Sequence, residues 1–198
     1  MRKHIPINHC VGKFASVKNN KMIFWQSMLQ RNYYYLLEYD QAVISYKEIL
    51  VQEDDSEDLD YAPHILIEKE DKEQVSIVFN SRRIEKNKPK IEISKEFCDQ
   101  YGLDCEIITE KSINEVLLSN LQYLYRFSRQ EPTKFERQRI LDIFKKNHPI
   151  CIDNLDEYFN RQLIPKVYNM IFSDELELDL FIKIGGISKI KVKEDKCV

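Results

Sequence analysis

Glycine is scarce: the chain holds 4 in 198 residues, at positions 12, 102, 185 and 186. No glycine-rich phosphate cradle of the Walker or dinucleotide kind can be assembled from so few, which sets aside ATPases, kinases and Rossmann oxidoreductases. Long apolar runs are missing too. Stretches such as Tyr33 to Leu37 and Ile77 to Phe79 fall far short of the ~20 residues that span a bilayer. The opening Met1-Arg2-Lys3-His4-Ile5-Pro6 lacks the apolar core of a signal peptide. The expectation is a cytoplasmic protein with no membrane partner. The 5 cysteines, Cys10, Cys98, Cys105, Cys151 and Cys197, form no C-x-x-C pair, so reduced thiols are expected rather than a zinc knuckle, redox dithiol or disulfide framework. His4, His9 and Cys10 want a fourth ligand at metal spacing, and no metal site is expected there.

A basic excess is also lacking, since 30 Lys plus Arg face 33 Asp plus Glu for a net charge of -3. The charges are segregated, however. Residues 1–50 carry seven basic and three acidic groups, residues 51–80 two and ten, residues 81–111 seven and seven, and residues 112–198 fourteen and thirteen. The acidic stretch Glu53-Asp54-Asp55-Ser56-Glu57-Asp58-Leu59-Asp60 has the composition of a solvated loop. Nothing resembles the basic stripe of an autonomous nucleic-acid binder, so DNA, if bound, is reached with partners.

What is present organises into two domains, 1–111 and 112–198. From Ile23 to Tyr39 neither Gly nor Pro occurs, and Trp25, Met28, Leu29, Leu36 and Leu37 recur mostly at three- and four-residue intervals, which predicts a helix. Alternation over Val43 to Val51, His64 to Glu68 and Gln74 to Phe79 predicts three strands. A short helix from Ile93 to Tyr101, closed by Gly102, and a strand from Cys105 to Thr109 complete an α/β unit. Beyond Ser112 the pattern turns helical at 114–126, 133–146, 154–159 and 164–171, broken once by His148-Pro149. Alternating stretches at Leu176 to Phe181 and Ile187 to Val192 then flank Gly185-Gly186, a hairpin whose tip would need positive φ. Helices followed by such a hairpin are the layout of a winged helix.

Several segments together resemble the TnsA endonuclease subunit of heteromeric, cut-and-paste transposases. Gly12-Lys13-Phe14-Ala15-Ser16-Val17-Lys18 is similar to the family's G-[KR]-F-x-S-x-K. Residues Gln26 to Asp40, which include Arg31 and Tyr35-Leu36-Leu37-Glu38-Tyr39-Asp40, and then Val43-Ile44-Ser45-Tyr46-Lys47-Glu48, track its helix and the V-x-S-Y-x-E that follows. Cys105 to Lys111 and Ser119 to Arg126 resemble a later strand and an interdomain helix, so the likeness covers nearly the whole chain. It implies a restriction-endonuclease-like core of the PD-(D/E)xK type followed by a winged-helix domain, working with a DDE transposase, an ATPase regulator and transposon-end DNA.

Hydrolysis on such a core needs carboxylates that hold Mg²⁺ and a lysine near the scissile phosphate. The family positions fall here on Gln26, on His64 after Pro63, and on Val78 and Asn80. An amide, an imidazole and an isopropyl group do not replace carboxylates for a hard cation. With those replacements the resemblance implies an inactive, architectural subunit with no cofactor, Mg²⁺ entering only if residual nuclease activity exists. Two other readings stand beside it. One is an active endonuclease cutting 5′ strands, its site rewired onto Glu68, Glu70, Asp71 and Glu73 with Lys69 or Lys72. The other is a free-standing winged-helix regulator that binds DNA by itself. Candidate DNA contacts are Lys13, Lys18, Lys21 and Arg31 in the first domain. In the second they are Arg161 and Lys166, with Asn169, near the helix a groove would receive, and Lys189 and Lys191, with Lys193, on the wing. Asp174, Glu175, Glu177 and Asp179 crowd the same end and favour protein docking there.

Overall fold

The computed structural model describes residues 12–49, 64–147 and 149–193, with His64 and Lys90 described by their backbone alone. The His4, His9 and Cys10 cluster, Leu50-Val51, the acidic stretch at 53–60, Pro63, His148 and Cys197 lie outside the described residues. The chain divides between Ile113 and Asn114 into two compact units.

The first unit opens with an antiparallel ribbon, β1 (Gly12–Ser16) and β2 (Lys21–Trp25), in register from Gly12 opposite Trp25 to Ser16 opposite Lys21. Ile23, Phe24 and Trp25 therefore belong to a strand, which corrects the helix expected from Ile23 onward. The apolar spacing that suggested a helix is here strand alternation, with Ile23 and Trp25 buried and Met22 and Phe24 exposed. Helix α1 (Met28–Tyr39) starts only after Ser27, whose hydroxyl accepts from the Gln30 N–H at 3.1 Å, the N-cap geometry that satisfies a first-turn donor.

β3 (Val43–Ile49), β4 (His64–Lys69) and β5 (Glu73–Val78) form an antiparallel meander, and after α2 (Lys88–Tyr101) the strand β6 (Asp104–Ile108) returns parallel to β5, giving the order β3-β4-β5-β6. α2 begins five residues before the expected Ile93 because Pro89 sits in its first turn, where a missing N–H costs nothing. It ends at Gly102 in the left-handed region, φ 66°. Alternation along β5 sends Val75, Ile77 and Phe79 to one face, where Ile77 and Phe79 pack with Ile91 of α2. Ser76 and Val78 go to the other, where the Tyr33 hydroxyl of α1 meets Ser76 Oγ at 2.9 Å. β5 is thus covered on both faces, as its nearly continuous burial records.

The second unit runs α3 (Glu115–Leu124), a 3₁₀ turn at Tyr125–Phe127, α4 (Lys134–Asn147), β7 (Ile150–Cys151), α5 (Leu155–Tyr158), α6 (Ile164–Phe172), β8 (Leu176–Glu177) and β9 (Lys189–Val192). Its three-stranded sheet has the order β7-β9-β8. Leu121, Leu124, Ile140, Phe144, Met170, Ile171, Leu176 and Ile190 form the buried interior. β7 had no periodic signal in a two-residue span.

The expected hairpin is also different. Of the alternating stretch Leu176 to Phe181, only Leu176 and Glu177 pair with β9. Leu178 and Leu180 stay buried and Asp179 and Phe181 exposed, so the alternation reports burial without pairing. Neither Gly185 nor Gly186 has positive φ. At Gly186 a Cβ would stand 2.0 Å from Asp153 Oδ2, so the exposed Asp153 side chain would have to swing aside, while the backbones stay tied by the hydrogen bond from the Asp153 N–H to the Gly186 carbonyl at 2.9 Å.

Candidate functional site

The residues that carry the family likeness converge on one buried carboxylate. Glu38, 3% exposed on α1, accepts the Tyr46 hydroxyl of β3 at 2.7 Å, the Val17 N–H at 3.1 Å, the Lys18 N–H at 3.2 Å and the Ser16 hydroxyl. Lys18 then reaches along the helix terminus, its Nζ donating to the Val43 carbonyl at 2.5 Å and to the Asp40 carbonyl. A cation there offsets the negative end of the α1 dipole. Burial holds the Lys18 ammonium below its ordinary range, with Asp40 and Glu38 opposing the shift. Asn19 closes the clasp by accepting the Tyr46 N–H at 3.3 Å. The β1–β2 ribbon, the C-terminal turn of α1 and β3 are tied together by these groups.

The four family catalytic positions map to the opposite end of α1 and to one end of the sheet. Across the sheet, Ile49, His64 and Ile77 stand in one row, and Val78 and Asn80 follow. Gln26 precedes the helix and donates from Nε2 to Glu48 Oε1 at 3.2 Å, while its N–H donates to Gln30 Oε1 at 2.7 Å. Gln30 Nε2 in turn donates to the Tyr34 hydroxyl at 2.9 Å, which donates to the Phe24 carbonyl at 3.0 Å. Val78 is 3% exposed and Ile65 fully buried. Asn80 caps the 3₁₀ turn at Ser81–Arg83 by accepting the Arg82 N–H at 3.1 Å.

Among the described residues, Glu48 and Glu110 are carboxylates brought to this end. Glu110 accepts from the Ser81 N–H at 2.9 Å and from its hydroxyl, contacts that hold its carboxyl below the ordinary range. Among the described residues no three His, Cys, Asp or Glu side chains converge as a metal site. Among the described residues at this end, the amides of Gln26 and Asn80, the aliphatic Val78 and the separately engaged Glu48 and Glu110 offer no converging set of the anionic oxygens that Mg²⁺ prefers.

The carboxylates of the rewired alternative lie elsewhere. Glu68 is opposite Glu73 at the far end of β4 and β5, four residues from the His64–Ile77 row, or about 13 Å at the strand rise. Glu68 accepts the Ser45 hydroxyl at 2.7 Å. Lys69 lies 3.9 Å from Asp40, and Lys72 pairs with Asp104 at 2.5 Å. A cysteine nucleophile finds no support in Cys98, because burial first, and Cys105 beside it second, push its thiol up to about 12.

The eight basic candidates divide. Lys13 and Lys21 are exposed on the ribbon, Lys13 Nζ standing 5.4 Å over the Phe24 ring. Arg31 lies over Trp25 at 5.8 Å. Arg161 and Lys189 are exposed. Lys18 is committed to the clasp, Lys166 is paired with Glu136, and Lys191 with Glu177 at 3.0 Å. Lys193 is paired with Asp174. Asn169 is unavailable to a duplex: it is buried, and its Nδ2 donates to the Phe127 and Ser128 carbonyls at 3.0 and 3.1 Å. The helix that would read a groove is itself interior, since Val167 to Phe172 are all buried, with Tyr168 stacked on Phe127 at 4.8 Å.

Asn120 is a structural residue that no sequence pattern singled out. This buried amide donates to the Leu180 and Ile182 carbonyls at 2.9 and 2.8 Å and accepts the Ile184 N–H at 3.1 Å, fixing the loop between β8 and β9. Its partners lie sixty or more residues away, so no local pattern could point to it. Among the described residues no helix is long and apolar enough to cross a membrane. Comparison with protein-family models and with curated proteins finds no match to this chain.

Proposed function

We propose that the chain is a TnsA-like subunit of a DNA transposition complex that organises the assembly without cutting DNA. In this reading the first unit is a restriction-endonuclease-like core kept for its scaffold. The second is a winged-helix domain that docks an ATPase regulator. A DDE transposase cuts the 3′ strands at the transposon ends, and the complex works in the cytoplasm on the nucleoid. The observation that carries the reading is the state of the sheet end: Val78 and Ile65 are core, Asn80 is a cap and Gln26 is hydrogen-bonded to Glu48. A hydrolytic site needs converging carboxylates, and the packed apolar floor formed by the described residues here supports the reading that none are assembled. The surrounding motif has a separate use in the Glu38 clasp, which accounts for a retained scaffold without a retained reaction.

The test is a cleavage assay on transposon-end DNA, with the chain alone and with its transposase, in Mg²⁺ or Mn²⁺. The expected result is no 5′-strand nicking, so that products remain joined as replicative intermediates. Metal-dependent cleavage that disappears in Glu48→Ala, or in Glu68→Ala, Glu70→Ala or Asp71→Ala, would overturn it in favour of a rewired nuclease.

A further inference from the structure

Between β8 and β9 the chain puts three large apolar side chains into solvent: Ile187 is 87% exposed, Phe181 66% and Ile182 65%. Such exposure on a floppy loop would mean little. This loop is held from beneath by the three Asn120 hydrogen bonds, by the Ile152 N–H on the Ser188 carbonyl at 3.0 Å, by the Ser188 N–H on the Gly185 carbonyl at 2.9 Å and by the Gly185 N–H on Ser188 Oγ at 3.0 Å. Gly186 seats against Asp153 as described above. A tip fixed by so many contacts has met its ordering cost before binding, the condition under which exposed apolar groups give affinity.

We propose that residues 181–189 form a docking tooth whose socket is an apolar cavity on a protein, rimmed by carboxylates. This rests on the reading above, in which the second unit meets an ATPase regulator. The charge around the tip specifies the rim. From Leu180 to Lys193 the chain contains Lys183, Lys189, Lys191 and Lys193 and no acid. Lys191 and Lys193 are held by Glu177 and Asp174, whereas Lys183 and Lys189 are exposed and make no ion pair among the described residues. They flank the tooth and call for opposite charge at the edge of an apolar socket, the arrangement that steers encounter and fixes register.

Duplex DNA fits less well. The most exposed groups are aliphatic and aromatic rather than hydrogen-bond donors, and Asp179 stands exposed just beyond β8, where it repels phosphates.

The experiment measures affinity of the full chain for the regulator of its own system and, separately, for transposon-end duplex. Phe181→Ser with Ile187→Ser should weaken regulator binding by about tenfold or more for each side chain. Lys183→Glu with Lys189→Glu should slow association and flatten its salt dependence. Phe135→Ser removes an equally exposed ring on α4, 77% exposed, and should change neither. The midpoint of thermal unfolding should hold in all three, since each removed side chain faces solvent. Unchanged regulator affinity in the Phe181/Ile187 variant overturns the docking tooth while leaving the proposed function standing. A loss confined to duplex binding overturns it in favour of a DNA wedge. Failure of the wild-type chain to bind either regulator or transposase overturns the proposed function, and the inference with it.

Discussion

A carboxylate withdrawn from water survives in a fold only when its oxygens are matched by donors, and Glu38 is matched by two backbone N–H groups and two hydroxyls. Removing the acceptor leaves several buried donors unsatisfied, each costing about 1–3 kcal/mol before relaxation. Glu38→Ala is therefore expected to destabilise the first unit by about 3–5 kcal/mol, and Glu38→Gln, which keeps the shape and one acceptor, by about 1–3 kcal/mol. Urea unfolding followed by the fluorescence of Trp25 measures both, and a loss under about 1 kcal/mol for the alanine variant would show that water replaces the clasp. Asn120→Ala should cost about 2–3 kcal/mol in the second unit and, more specifically, raise amide exchange of Ile184 relative to Ile190 of β9. Both residues stand in plain view in the sequence. Glu38 could be picked out because it lies in the stretch Tyr35 to Asp40 that resembles a family, but its role could not, because its partners lie eight to twenty-two residues away.

At the scale of elements, caps and alternation explain what was legible and what was not. α4 starts with a capping box: the Thr133 N–H and hydroxyl donate to Glu136 Oε2 at 2.9 and 2.8 Å, and the Glu136 N–H returns to Thr133 Oγ1 at 3.3 Å. Lys166 of α6 pairs with the same carboxylate. That pairing first, and the Thr133 donors second, pull the Glu136 carboxyl down to about 2. A carboxyl depressed below its unfolded value, near 4.5, gives stability that is complete above about pH 4.5 and lost as the pH falls toward 2. Acid titration of the chain should show this loss, and Glu136→Gln should flatten the profile across that window while leaving its shape above pH 5 unaltered. An equally steep profile in the variant would assign the acid sensitivity to other groups. The helix at 133–146 was expected from its apolar periodicity alone, and its start agrees with the Thr133–Glu136 box that caps it. Ile23 to Trp25 was misassigned because three residues of strand followed by a helix give spacings of three and four by coincidence. The loop after β8 was misassigned for a different reason: Leu176, Leu178 and Leu180 do point inward alternately, yet Asn120, not a neighbouring strand, satisfies the backbone beyond Leu178.

For the molecule as a whole, the lack of a basic excess and the residue types at the positions the family likeness points to were legible in the sequence, while the packing around Val78 was not. Val78 could have been an exposed valine beside an open cleft. Only the register that places it beside Ile108 and on the α1 face makes it core, and register depends on pairings far apart in sequence. The same commitment of side chains to the fold limits what the chain can do with DNA by itself. Of the eight basic candidates, Lys18, Lys166 and Lys191 are engaged, which leaves Lys13, Lys21, Arg31, Arg161 and Lys189. Each phosphate neutralised on a duplex adds about -0.9 to the slope of log K against log salt. Five contacts therefore bound that slope at about -4.5, and the net charge of -3 adds no long-range attraction. Fluorescence anisotropy with a short duplex between about 50 and 200 mM salt should return a slope no steeper than that, with an affinity in the non-specific range of about 10⁻⁴ to 10⁻⁶ M at the upper end. Lys13→Ala with Lys21→Ala should lower the slope by about 2. A slope of about -7, the value for all eight, would require Lys18, Lys166 and Lys191 to leave their partners. The clasp at α1 and the pairing of α4 with α6 would then be devices released by DNA and not fixed parts of the scaffold.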